Sequence, residues 1–260
     1  MDLSPAPPAA VTMSPTQRDD VVVVIPTYNE AENLRRVVAA ALAQGVRVLI
    51  VDDASPDGTG AIADSLADGY RVAVLHRKGK QGLGPAYAAG FRRAIELFAD
   101  IVCEMDADLS HDPADLPRLL AAVDAGADVA LGSRYVRGGG VADWPWHRRA
   151  LSRGGNMYAA AMLGGGIHDM TSGFRAYRVE ALKQLDPWQA EASGYGFQIE
   201  LAWRARAAGL DVVEVPITFR DRSEGTSKMD RSIALEAVGL VTKWGYRRFT
   251  GRLRLPAGED

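Results

Sequence analysis

Apolar positions in the first half of the chain come in short continuous blocks separated by polar, helix-patterned stretches. Val21-Val22-Val23-Val24-Ile25 is an unbroken β-branched run, the mark of a strand buried on both faces. Pro26 is expected to stop it. Asn29 then resembles a helix N-cap with Glu32 three residues on, and Leu34, Val37, Val38, Ala41 and Leu42 recur at helical spacing. The alternation continues with a strand over 46–51, a short helix through Ile62 and Leu66, a strand over 71–75, a helix over 85–98 and a strand over 100–105. Asp112 and Pro113 suit the start of a further helix, and 129–131 reads as a fifth strand. Strands and helices in turn imply βαβ units, right-handed crossovers and a mostly parallel sheet, hence the α/β class.

After Gly132 the pattern changes. Gly138-Gly139-Gly140 predicts a mobile loop, 146–163 a long helix, 174–178 and 211–215 further strands, 197–208 a helix and 220–231 a polar loop. The last helix, 232 to about 249, carries Ile233, Ala237, Leu240, Val241 and Trp244 on one face. No linker interrupts the middle, so residues 20–250 are expected to form one domain, with a disordered extension over 1–19 and a flexible tail over 251–260.

The formal net charge of −3 argues against a general nucleic-acid binder, which would carry a strongly basic face. Cys103 is the only cysteine, so no intramolecular disulfide can form, and a cytosolic setting fits. It lies inside an apolar run, as a small buried hydrophobe would. No stretch approaches the roughly 18 consecutive apolar residues of a membrane span, and the Pro- and Ala-rich start lacks the basic and apolar regions of a signal peptide. Any membrane contact is therefore expected to be peripheral.

Chemistry is suggested where the fourth strand ends. Asp106 and Asp108, one residue apart after Ile101–Met105, would stand at the carboxyl edge of the sheet, where open α/β sheets bind ligands. Two carboxylates so close repel unless a positive group neutralises them, and Mg²⁺ is commonly held by one or two carboxylates together with substrate phosphates. Taken alone, the same residues also describe a solvated acidic turn. Two other polar clusters, 26–30 and 52–59, follow the first and second strands, and a parallel sheet would bring all three to one crevice.

Nine motifs then occur in order: V-V-I-P-T-Y-N-E, V-D-D-A-S-P-D-G-T, G-L-G-P-A-Y, M-D-A-D-L-S-H-D-P, G-S-R-Y, S-R-G-G-N, T-S-G-F-R, G-Y-G-F-Q-I-E and G-x-S-K-M. From about Val21 to Trp244 the chain resembles the inverting GT-A (Rossmann-like) glycosyltransferases of family 2. Within them it is most similar to the dolichol-phosphate and polyprenol-phosphate mannose synthases. The resemblance implies GDP-mannose as donor, a polyprenyl monophosphate as acceptor, and Mg²⁺ or Mn²⁺ as cofactor. By position it assigns Pro26, Tyr28, Glu30, Val51 and Asp53 to the nucleoside, and Asp106, Ala107 and Asp108 to the metal-bearing diphosphate, with Asp106 and Asp108 as metal ligands. Arg222 and Lys228 would clamp the donor diphosphate. Arg134, Arg148 and Ser152 would hold the acceptor phosphate, with Arg134 also counted among the catalytic groups.

Some relatives carry a glutamine where this chain has Ser110, which puts a third protein ligand in doubt. His111 is expected to be structural, and Glu200, at a position where hydroxyl-glycosylating relatives keep a base, to orient its neighbours. A phosphate monoester with a second pKa of about 6 is already anionic at neutral pH, so no general base is required and one displacement would invert the sugar. Many relatives append transmembrane helices after the last helix. Here Trp244 to Arg252, with Arg247, Arg248 and Arg252 among aromatics, suits a bilayer interface or an integral-membrane partner at the cytoplasmic face, or else a core-covering helix with a solvated basic end. A UDP-glucose-dependent enzyme on the same lipid, and a non-catalytic nucleotide-sugar-binding scaffold, are the alternatives.

Overall fold

The computed structural model describes residues 17–192, 194, 196–221 and 231–250. The elements run β1 (Arg18–Thr27), α1 (Leu34–Leu42), β2 (Val46–Asp52), α2 (Thr59–Leu66), β3 (Val72–His76), α3 (Leu83–Glu96), β4 (Ile101–Glu104), α4 (Leu116–Asp124), β5 (Val129–Ser133), β6 (Gly140–Val141), α5 (Trp146–Leu163), β7 (Arg175–Arg178), α6 (Val179–Leu185), α7 (Gly196–Ala207), β8 (Val212–Pro216), β9 (Thr218–Phe219) and α8 (Arg231–Phe249). Seven strands form one sheet in the order β3-β2-β1-β4-β7-β5-β8, parallel except for β7, and β6 pairs with β9 beside it.

The valine run is explained by its two faces. Val22 and Val24 pack with Leu49 and Val51 under α3, α5, α7 and α8, whereas Val21, Val23 and Ile25 pack with Val48 and Ile50 against α1 and α4. Both faces of β1 are covered, so no position in it needs to be polar. The order 3-2-1-4 makes the gap between β1 and β4 a topological switch point, where parallel sheets open a crevice beyond their carboxyl ends.

Three local expectations are corrected. Pro26 does not end β1, which continues to Thr27 with Pro26 in register with Val51. The Val24 carbonyl accepts from Met105 on the β4 side, so Pro26, two residues on, turns its missing N–H toward the same side just beyond the last β1–β4 pair. Asn29 is not an N-cap. It lies in the left-handed region (φ 57°), its N–H donates to Ser55 Oγ at 3.1 Å, and α1 begins only at Leu34. Arg18 and Asp19, counted with the N-terminal extension, belong to β1, where the Arg18 guanidinium bridges Asp20 and Asp124 at 2.8 and 2.9 Å. Residues 1–16 and 251–260 lie outside the described residues.

Other expectations hold. Asp112 accepts from the Ala114 N–H at 3.0 Å and starts a 3-10 turn that leads into α4, α5 spans the expected residues, and Cys103 is buried. Gly140, in the stretch read as a mobile loop, is instead paired with Thr218 in the small β6–β9 sheet. Helix α8 covers the core through Val241 and Trp244, whose indole stacks on Trp203 at 5.7 Å. Among the described residues no helix is long and apolar enough to cross a membrane.

Candidate active site

The tips of β1, β2 and β4 lie side by side: the Thr27 and Val24 carbonyls accept from the Asp53 and Met105 N–H groups at 3.0 and 3.2 Å, and side chains lock the loops beyond. The loop after β2 holds the loop after β1 at three points: Asn29, Glu30 and Ala31 donate their N–H groups to Ser55 Oγ, Thr59 Oγ1 and Asp57 Oδ2 at 3.1, 3.0 and 3.2 Å. Asp57 in turn accepts from the Thr59 hydroxyl at 2.6 Å, so one carboxylate closes the β2 turn and fixes its neighbour. Short Ser, Thr and Asp side chains suit this work because they reach backbone amides within their own turn.

Within this frame Tyr28 and Glu30 are half-buried. The Lys80 ammonium stands 4.3 Å from the Tyr28 ring centroid, and the Glu30 carboxylate accepts from Asn33. Asp53 is nearly buried. Its carboxylate accepts from Arg77 Nη1 and from the Gln81 N–H, which draws the segment before α3 against the tip of β2. Two assigned residues cannot act through their side chains: Val51 lies in the core under α3, and Ala107 is buried at the turn, which leaves only their backbone for any ligand contact.

At the tip of β4 the two carboxylates differ. Asp106 is about one-third exposed, takes the Tyr87 hydroxyl on Oδ1 at 3.1 Å, and has Oδ2 at 3.9 Å from His111 Nδ1. Asp108 is buried and accepts the Ser110 N–H on Oδ1 at 3.0 Å. Among the described residues no group of three His, Cys, Asp or Glu side chains gathers round one point. A site with two carboxylates suits a hard cation that takes its other ligands from water and phosphate. The Ser110 hydroxyl is buried and unpartnered among the described residues, an orphaned oxygen two residues from Asp108. The Ser110 carbonyl accepts from the Arg220 N–H at 3.1 Å, so the chain enters the 222–230 segment from beside this tip. Arg222 and Lys228 themselves lie outside the described residues.

His111 is buried, stacked on Phe174 at 5.1 Å and edge-on to Phe219 at 5.4 Å. Burial pushes its pKa down to about 4, so the ring is neutral at physiological pH. Its Nδ1 accepts the Asp106 N–H at 3.4 Å, which assigns the ring proton to Nε2. Glu200 is also buried, accepting from the Glu191 and Ala192 N–H groups and from Arg204 Nη2 at 3.1, 3.0 and 2.5 Å. Both residues hold structure, as expected.

The cation bank along α5 is less open than its sequence suggests. Arg134 is buried, and its Nε and Nη2 grip Asp169 at 2.7 and 2.6 Å, with Nη2 also donating to Thr171 at 2.6 Å. One edge of the Arg134 guanidinium is thus already occupied by Asp169. Arg148 pairs with Asp221 at 3.0 Å and has its guanidinium carbon over Trp144, 4.1 Å from the ring centroid, while that of Arg134 sits 5.9 Å from the same ring. The Ser152 hydroxyl accepts from Tyr135 Oη at 2.6 Å. Asn156 ties the set together, donating to the Ser152 carbonyl and to Thr171. The three assigned residues thus surround Trp144 and Tyr135, each with a protein partner. Arg247, assigned to a basic end, pairs with Glu191 at 3.1 Å, and the Arg248 guanidinium lies against Gly164.

Three important residues went unrecognised. Asp169, the partner of Arg134, lies between two motifs, and its only signal is being the one acid in the G-G-I-H-D-M stretch. Tyr87 closes the G-L-G-P-A-Y motif and Arg175 closes T-S-G-F-R, but neither motif says what its last residue touches.

The fold and this arrangement match known proteins. A family model described as glycosyl transferase family 2 matches residues 22–186. A polyprenol monophosphomannose synthase of Mycolicibacterium smegmatis is 53% identical over 247 residues, 94% of this chain and 92% of that one. An undecaprenyl-phosphate mannosyltransferase of Micrococcus luteus is 49% identical over 229 residues, 86% of this chain and 93% of that one. Among solved structures, the glucosyl-3-phosphoglycerate synthase of Mycobacterium tuberculosis, crystallised with Mn²⁺, UDP and glucosyl-3-phosphoglycerate, superposes with a TM-score of 0.60 at 19% identity, covering 91% of this chain and 80% of that one. That likeness establishes the GT-A architecture. Together the sheet order, the acidic tip of β4 and these matches make the chain a member of glycosyl transferase family 2.

Proposed function

We propose that this glycosyltransferase moves mannose from GDP-mannose to a polyprenyl monophosphate, inverting the anomeric carbon and giving a β-linked mannosyl phosphate. The observation that carries the reading is the acidic tip of β4 set beside the tips of β1 and β2. The chemistry of the two relatives at 53% and 49% identity supports the acceptor class and the sugar.

Tyr28, Glu30 and Asp53 form the nucleoside end, and Pro26 with the backbone of Val51 shapes its floor. Asp106 and Asp108 would hold Mg²⁺ or Mn²⁺ at the diphosphate. When bound, the cation supplies charge neutralisation on the leaving group. Arg222 and Lys228 are assigned to the same diphosphate. Arg148 and Ser152, with Arg134 behind them, orient the acceptor phosphate, which is already ionised. One of its oxygens forms the bond to the anomeric carbon as the bond to the diphosphate breaks, and the electron pair leaves with the diphosphate. No proton has to move, in keeping with the buried, structural roles of His111 and Glu200.

On this reading the enzyme works peripherally, at the cytoplasmic face of a membrane. Trp146, Leu151 and Met157 on α5 and Tyr246 and Phe249 on α8 are exposed, and such residues suit a bilayer surface or an integral-membrane partner. The test is incubation with radiolabelled GDP-mannose, divalent metal and a short polyprenyl phosphate. A mild-acid-labile labelled lipid is expected. A label transferred only from UDP-glucose in the parallel reaction would overturn the donor assignment, and no lipid product from any donor would overturn the reaction.

A further inference from the structure

The reading of Asp106 as a metal ligand leaves open what aims its carboxylate. The backbone alone does not, because Asp106 lies beyond the last paired residue of β4, Glu104, and its side chain is one-third exposed. One oxygen, Oδ1, is reached from α3 by the Tyr87 hydroxyl at 3.1 Å. Tyr87 is itself wholly buried. Its ring lies parallel to Phe197 at 6.4 Å and stacks on Phe91 at 5.7 Å, so the hydroxyl has little freedom to wander. Opposite, Gly173 presents bare backbone: a Cβ there would stand 3.8 and 3.9 Å from the two Asp106 oxygens.

Beneath the same tip a second set of buried polar groups holds β4 to its neighbours. Glu104 accepts from Tyr177 Oη and Gln198 Nε2, each at 2.6 Å, and Arg175 donates to Tyr177 Oη and to the Met170, Ser172 and Gln198 carbonyls. The end of the strand is fixed by this network, while the carboxylate beyond it is fixed by Tyr87. Helix α3 is also the element whose leading segment, through Arg77 and the Gln81 N–H, contacts Asp53 at the nucleoside end.

We infer that Tyr87 is a positioning residue for the metal-bearing carboxylate. Its hydroxyl holds Oδ1 of Asp106 so that Oδ2 is the oxygen presented to a divalent cation, and through α3 it keeps that cation in register with the nucleoside carboxylate Asp53. The inference rests on the proposed metal role of Asp106. Partners that orient a ligating carboxylate typically matter tenfold to a hundredfold in metal affinity.

The test is a titration of free Mn²⁺ by electron paramagnetic resonance, with the purified full chain and GDP present, on wild type, Tyr87→Phe, Phe91→Leu and Asp106→Asn. Tyr87→Phe keeps the ring and its stacking and deletes only the hydroxyl. It is expected to weaken Mn²⁺ binding by roughly tenfold or more, with the melting temperature and metal-free GDP affinity close to wild type. Phe91→Leu disturbs the same stack without touching the hydroxyl, and should lower the melting temperature while keeping Mn²⁺ affinity. If Asp106→Asn loses Mn²⁺ but Tyr87→Phe does not, the tyrosine inference is wrong and the metal reading stands. If Phe91→Leu weakens Mn²⁺ as much as Tyr87→Phe does, packing explains the effect and the inference again fails. If Asp106→Asn binds Mn²⁺ like wild type, the metal reading falls and takes the inference with it.

Discussion

The two ends of the crevice are built on different principles. Ser55, Asp57 and Thr59 lock the loops after β1 and β2 together, and beside them at the tip of β4 stand the part-exposed Asp106 and the buried Asp108. At the other end the cations are instead paired with carboxylates, Arg134 after β5 with buried Asp169 and Arg148 on α5 with Asp221 at the surface. The first end carries two neighbouring carboxylates, Asp106 and Asp108, which the proposed function assigns to a cation. The second carries positive charge already satisfied by carboxylates. On the proposed reading, a phosphate at the second end has to share or displace a carboxylate partner, whereas a cation at β4 joins groups of opposite charge.

The comparison is broken most severely at the acidic end. Asp108→Ala is expected to lower transfer on the order of a thousandfold, the scale of a lost Lewis-acid contribution. It removes the acceptor of the buried Ser110 N–H, so folding stability should drop by about 1–3 kcal/mol. Near-normal turnover would contradict the metal role. At the other end, Asp169→Ala leaves the Arg134 guanidinium buried without its carboxylate. A loss of about 3–5 kcal/mol in urea denaturation is expected, and a loss below 1 kcal/mol would show the pair to be incidental.

Acid sharpens the contrast, because His111 sits between the two ends. Its folded pKa of about 4 lies below the ordinary 6.5 of the unfolded chain. Keeping the ring neutral therefore stabilises the fold fully above about pH 6.5, and that contribution is lost as pH falls toward 4. It is worth on the order of 2–4 kcal/mol. In metal-free protein, His111→Phe should flatten the pH dependence of the melting temperature in that window, and an unchanged slope would refute the assignment.

The smallest effects belong to the surface pair. Arg148→Ala should raise the KM for polyprenyl phosphate roughly tenfold or more, the value of a charge-assisted contact, with little change for the donor. Asp221→Asn removes the competitor for Arg148 and should lower that KM about two- to threefold, in keeping with an exposed ion pair worth under about 1 kcal/mol. Opposite signs for the two substitutions support a cation that exchanges partners. Equal signs would show that Asp221 helps acceptor binding rather than opposing it.

How much of this was legible in the sequence depends on how local each cause is. The valine run of β1 announces burial on both faces because every one of its residues is subject to the same demand. Asp106 and Asp108 were legible because strand and acid are adjacent in the chain. Pro26 and Asn29 misled because what decides them lies elsewhere: the early end of β4 for the first, and Ser55 across the crevice for the second. Val51 matched a motif that says where the backbone runs and nothing about its side chain, which the core takes. The partners Asp169 and Tyr87 lie 35 and 19 residues from the groups they hold, and only the folded sheet brings them together.

The most direct measurement is a crystal structure of the full chain with GDP and Mn²⁺, collected at the manganese absorption edge. The account predicts an anomalous peak in coordination contact with the carboxylates of both Asp106 and Asp108 and with the diphosphate of the nucleotide. A manganese peak away from β4, or nucleotide bound with those carboxylates turned out of the crevice, would contradict it.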